Sequence, residues 1–96
     1  MKSVFKYELN VIDEQTVLLP EGAEILSVQF QDDQHWSNRL FIWALVDDAV
    51  SVPKFERAIR IHGTGHPVSP NLNLRFIDTV QTAGGQLVFH VFEVVA

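Results

Sequence analysis

The 96-residue sequence contains no cysteine. That absence excludes a disulfide framework, a thiol nucleophile and a thiolate metal site, and it fits a reducing compartment. Long apolar runs are missing too. The longest covers residues 40–46, far below the roughly 20 residues that span a bilayer as a helix. Met1-Lys2-Ser3-Val4-Phe5-Lys6 passes directly into polar Tyr7-Glu8, so no signal-peptide apolar segment is expected. Nor is there an amphipathic stretch of helical period long enough to serve as a crossover, which argues against a parallel sheet.

Positive charge is scarce in the first half. The net charge is −5. Residues 1–48 set Lys2, Lys6 and Arg39 against nine carboxylates, whereas residues 49–96 set Lys54, Arg57, Arg60 and Arg75 against Glu56, Asp78 and Glu93. His62, His66 and His90 also lie in the second half. Duplex nucleic acid, which needs clustered Lys and Arg, is a poor partner for such a chain. A nucleic-acid mimic would need a denser acidic surface. What this division allows is a local cationic pocket in the second half, suited to a small anion.

What is present is a globular composition, 47% hydrophobic and 20% charged, and a length that supports one core in a single domain over residues 1–96. Period-two patterns dominate, with turn residues between them. Residues 2–10 alternate with Phe5, Tyr7 and Leu9 on one face. Residues 16–19 are a short β-branched segment stopped by Pro20-Glu21-Gly22. Residues 23–31 place Leu26, Val28 and Phe30 on one face. After the polar stretch Asp32-Asp33-Gln34-His35-Trp36-Ser37-Asn38, residues 39–46 are apolar on both parities, as in a strand buried on both faces or met by another subunit. Residues 54–62 lead into a glycine-bearing loop over 63–70. Residues 73–82 and 86–95 flank Ala83-Gly84-Gly85, a hairpin turn. A short helix competes only over residues 47–58, where Pro53 weakens it. Phe5, Phe30, Phe41, Trp43, Phe55, Phe76, Phe89 and Phe92 read as mostly core. The pattern predicts an all-β fold, a small antiparallel sandwich or partly open barrel of about seven short strands with at most one short helix.

Candidate chemistry concentrates in Arg57-Ala58-Ile59-Arg60-Ile61-His62-Gly63-Thr64-Gly65-His66-Pro67. Strand alternation puts Arg60 and His62 on one face and Arg57, Ile59 and Ile61 on the other. Gly63 and Gly65 flank Thr64, which lets the backbone approach a ligand and turn its N–H groups toward an anion. Arg57, Arg60, His62, Gly63, Thr64, Gly65 and His66 are therefore the candidate ligand-binding set, suited to phosphate or carboxylate. The competing reading is a tight turn whose glycines serve only the backbone. Trp36, in its polar loop, is a further candidate that could stack on a base, anchor a partner chain or fold back onto the sandwich.

Other chemistries are disfavoured. The segment lacks the third glycine, the lysine and the helix of known phosphate motifs. A zinc site at His62 and His66 would need a third ligand such as His90, Asp78 or Glu93, so no metal is expected. His90 reads as a half-buried strand residue beside Val88 and Phe92, with Glu93 on the opposite face. No serine has nucleophile-elbow context, and Asp32-Asp33 and Asp47-Asp48 read as solvated loop pairs. No catalytic residue and no cofactor is assigned.

Several blocks carry a resemblance. Lys6-Tyr7, Asp13-Glu14-Gln15-Thr16 and Pro20-Glu21-Gly22-Ala23-Glu24-Ile25-Leu26-Ser27-Val28-Gln29 are followed by Trp43-Ala44-Leu45-Val46-Asp47, Gly63-Thr64-Gly65-His66-Pro67 and Gly84-Gly85-Gln86-Leu87-Val88-Phe89-His90-Val91-Phe92-Glu93. In this order they resemble a family of small uncharacterised phage and prophage proteins over nearly the whole chain, with a departure around residues 30–41. The resemblance implies a virus-encoded accessory protein of the bacterial host cytoplasm, a class that counters host defence. Joined to the glycine-loop donors, it leads to an expected non-enzymatic binding protein. That protein would sequester a small anionic ligand, a cyclic or ADP-ribose-type nucleotide, as a homo-oligomer without membrane association. A protein–protein interaction module that inhibits a host defence enzyme is the second expectation, and a phosphodiesterase-like enzyme the third.

Overall fold

The structure is a computed structural model and describes all residues except 33–37, 83–84 and 96. Seven strands follow one another: β1 (Lys2–Leu9), β2 (Glu14–Pro20), β3 (Glu24–Asp32), β4 (Asn38–Asp47), β5 (Lys54–Gly63), β6 (Leu74–Gln81) and β7 (Val88–Val94). They form two antiparallel sheets, one in the order β1-β4-β3 and the other in the order β2-β5-β7-β6. The fold is all-β, with no closed barrel and no α-helix among the described residues, and it is a small β-sandwich. Its Cα extents of 41 × 40 × 16 Å describe a slab, and the short dimension fits two backbone layers at the usual sheet separation of about 10 Å.

Alternation builds the core. Leu40, Ile42, Ala44 and Val46 of β4 all point inward and are buried. Together with Leu9 and Val28 they form one cluster with Leu19, Ile59, Ile61, Val80 and Val91 of the other sheet. Each such aliphatic side chain contributes roughly 1.5–3 kcal/mol through burial. The opposite face of β4 carries Phe41, Trp43 and Leu45. Lys6 Nζ sits 4.4 Å from the Phe41 ring centroid and 5.6 Å from that of Trp43, and the Arg39 guanidinium lies 5.2 Å from the Phe41 centroid. These cationic side chains bury Phe41. One chain therefore covers both faces of this apolar run at Phe41, with Trp43 and Leu45 half-buried.

Three sequence expectations change. Leu26 does not join Val28 on the core face, because a β-bulge between Ile25 and Ser27 breaks the alternation. Leu26 turns outward and Ile25 packs against the core instead. Phe5, Phe55 and Phe76 are exposed. Phe5 lines an open hollow of about 280 Å³ at the rim, Phe55 stands near the start of β5, and Phe76 lies on an edge strand. The helix that competes over residues 47–58 does not form. Its first part is a turn closed by the Val52 N–H donating to the Ala49 carbonyl at 3.1 Å, and Pro53 accepts from the Glu21 N–H at 2.8 Å before β5 begins. Among the described residues no helix is long and apolar enough to cross a membrane.

Candidate functional site

The outer face of the four-stranded sheet brings together Glu14, Arg60, His62, His90, Thr79, Phe92 and Phe76. Strand register sets them in two rows. In the first, Glu14 of β2 pairs with Arg60 of β5, Arg60 with Phe92 of β7, and Phe92 with Phe76 of β6. In the second, His62 pairs with His90 and His90 with Thr79. Successive outward residues of a strand lie about 6.6 Å apart, so both rows fall within reach of one small ligand.

The first row contains an ion pair and an aromatic ladder. Arg60 Nη1 donates to Glu14 Oε2 at 2.7 Å. The Phe92 ring meets Phe76 edge-to-face at a centroid separation of 5.7 Å, and it meets His62 in the same manner at 5.7 Å. Phe76, at the outer end, is 56% exposed.

The second row is hydroxyl-clamped. His90 Nε2 lies 2.8 Å from Thr64 Oγ1, and His90 Nδ1 lies 2.9 Å from Thr79 Oγ1. A hydroxyl can donate or accept, so this clamp holds the ring in either tautomer. His62 is 8% exposed. Its Nε2 and the Nε of Arg60 are buried without a hydrogen-bond partner. Both belong to β5, two residues apart on one face.

The loop after β5 is a tight turn. His66 N–H donates to the Gly63 carbonyl at 3.1 Å, and Gly65 takes φ 84° at the third position, where a side chain is strained. The His66 ring folds against Gly63, whose position a Cβ would bring within 2.9 Å of that ring. His66 and Gly63 line a small hollow with Ile61, Phe89 and Val11.

The predicted donor set is thus divided. Arg60, His62 and Thr64 gather on the outer face. Arg57 points the other way, toward Val17, Ile59 and Ile61, and serves an internal ion pair. Its Nε and Nη2 donate to the Glu93 carboxylate, and its Nη1 donates to the Ala23 carbonyl at 3.0 Å, tying β5 to the turn that enters β3. Arg75 Nη2 adds a third donor to Glu93, from a second guanidinium, at 2.5 Å. Burial pushes the Glu93 carboxyl upward, but the hydrogen bonds and charges of Arg57 and Arg75 more than reverse this and hold it below its ordinary value. The same bond raises Arg57, against the opposing effect of burial. His66 stays with Gly63, and Gly65 shapes the turn. Trp36 lies outside the described residues.

Four contributors escaped the sequence reading: His90, Thr79, Phe92 and Phe76. Alternation along β7 puts His90 and Phe92 on one face, but their neighbours depend on register. A second bulge, between Phe76 and Asp78, moves Thr79 onto the face of His90. Glu93 as a buried carboxylate was more accessible, since it shares parity with Val91 and Phe89. Among the described residues no group of three or more His, Asp or Glu side chains is placed to share a metal ion.

A family model described as a domain of unknown function, DUF7352, matches residues 1–96. No curated protein and no solved structure matches the chain.

Proposed function

We propose that this chain, which belongs to the DUF7352 family, is a non-catalytic binding protein whose outer four-stranded face holds a small anionic ligand of nucleotide type. One observation carries the reading: Arg60 Nε and His62 Nε2, on residues two apart along that face of β5, are each buried without a partner. An unpaired buried polar group costs about 1–3 kcal/mol, and an anionic oxygen between the two nitrogens would recover that cost. Arg60 offers its Nε–H edge while Nη1 stays on Glu14, and His62 donates from Nε2 in the matching tautomer. The exposed end of the aromatic ladder at Phe76 and Phe92 supplies a flat apolar surface for a base. In the phage setting implied by the sequence blocks, such a protein would withdraw a host signalling nucleotide, such as a cyclic or ADP-ribose-type one.

Native mass spectrometry and calorimetry against a panel of cyclic nucleotides, ADP-ribose and mononucleotides test this reading. One member should bind the intact protein, and Arg60→Ala and His62→Ala should each weaken it by roughly ten-fold or more. Absence of binding by every member, or unchanged affinity in both variants, overturns it. A second reading, an interaction module that blocks a host protein, draws on Leu18 and Phe76, which lie exposed on the same face. Binding of a purified defence protein that Phe76→Ser abolishes, with no nucleotide bound, would select it.

A further inference from the structure

The two sheets meet along a seam whose halves differ. β3 pairs only with β4, and β6 only with β7, so each presents an unladdered edge to the other. At one end side-chain chemistry closes the seam. Asp78 Oδ2 accepts from the Val28 N–H at 3.3 Å and from Gln29 Nε2 at 3.0 Å. At the other end both edges carry their bulges, and a cleft of about 360 Å³ opens between residues 23–26 and 75–77.

The backbone and the charge of this cleft specify what fits it. Two strand edges facing one gap present main-chain donors and acceptors at the strand repeat, the pattern that an extended peptide complements. The lined stretch of four residues corresponds to about 13 Å of strand. Behind it, two guanidinium groups, Arg57 and Arg75, serve the single carboxylate of Glu93, which leaves one positive charge in excess. Arg57 is committed inward, while the Arg75 side chain is 60% exposed and lines the cleft. Glu24 stands on the β3 rim, so a negative group is repelled there and drawn to the β6 side.

We propose that the β3–β6 cleft is a peptide-binding site for an extended segment bearing a carboxylate, which adds to the open strand edge and places its carboxylate on the Arg75 guanidinium. This site lies on the seam; it shares Phe76 with the outer-face nucleotide reading but draws on neither Arg60 nor His62.

The test uses the intact protein and a random octapeptide library. Enriched peptides are synthesised and titrated into ¹⁵N-labelled protein. The expected result is enrichment of Asp- or Glu-containing sequences whose binding shifts the backbone amides of residues 24–26 and 75–77. Arg75→Gln should weaken these peptides at least about ten-fold, and the matching Asp→Asn or Glu→Gln change in the peptide should cost a similar factor. Glu93 keeps Arg57 in that variant, and Arg75→Lys, which retains charge without the fork, should fall between. No enrichment over a blank selection, equal affinity in Arg75→Gln, or amide shifts confined to the Phe92 face would each overturn the proposal. The nucleotide measurements stand or fall separately.

Discussion

At the scale of single residues, the strongest internal polar interaction is the Arg57–Glu93–Arg75 cluster, with Glu93 only 4% exposed. Removing one member of a buried pair leaves its partner's charge uncompensated, at about 3–5 kcal/mol. Glu93→Gln should therefore lower unfolding free energy by about that amount in urea denaturation at neutral pH. The folded carboxyl lies below its ordinary value of 4.5, so its contribution is complete above that value and is lost as pH falls through the folded one. Stability of the parent protein should fall on acidification below pH 4.5, and the fall should be shallower in Glu93→Gln. It should not vanish, because the exposed Glu8 carboxyl is also lowered, chiefly by its hydrogen bond from Arg39. The inward parity of Arg57 was legible in the sequence, since it alternates with Ile59 and Ile61. Its partner was not, because Glu93 lies 36 positions away and only the β5–β7 register joins them.

At the scale of elements, β5 explains why the glycine loop could be found but not its purpose. Arg60 and His62 keep the alternation that the sequence shows, and Gly65 adopts the left-handed backbone that the glycines suggested. The convergence expected of Arg57 and His66 fails because a strand sends alternate side chains to opposite sides and the turn after it folds His66 against Gly63. Gly65→Ala meets no atom within 4 Å of its new Cβ, so its cost is that of backbone strain alone, roughly 1–2 kcal/mol by thermal unfolding. Gly63→Ala must displace the His66 ring, and the His66 imidazole resonances should shift in that variant and not in Gly65→Ala. Strand positions followed from period-two patterning, whereas the two bulges did not: inserting one residue in a ladder leaves no mark in composition or turn chemistry. The first slip separates Leu26 from Val28, and the second brings Thr79 beside His90.

At the scale of the whole molecule, the sandwich is held along its seam by few polar contacts. Asp78→Ala removes both the Val28 and the Gln29 bonds. It should cost about 1–2 kcal/mol and speed hydrogen exchange at the Val28 amide more than at Ile42, which sits inside the β4 ladder. The strand order has a consequence in time as well as in space. Only β3–β4 and β6–β7 join strands that follow each other in the chain, while β1 waits for β4 and β2 for β5. Loops must close over long separations before these pairings stabilise anything, which places folding in the range of about milliseconds to seconds. During synthesis β1 and β2 leave the ribosome before their partners β4 and β5 exist. All of the β1-β4-β3 sheet lies within residues 2–47 and can ladder as soon as β4 has emerged, whereas β2 stays unpaired until residues 54–60 follow. The first half of this protein therefore forms its sheet with a bare apolar face that only the second half covers.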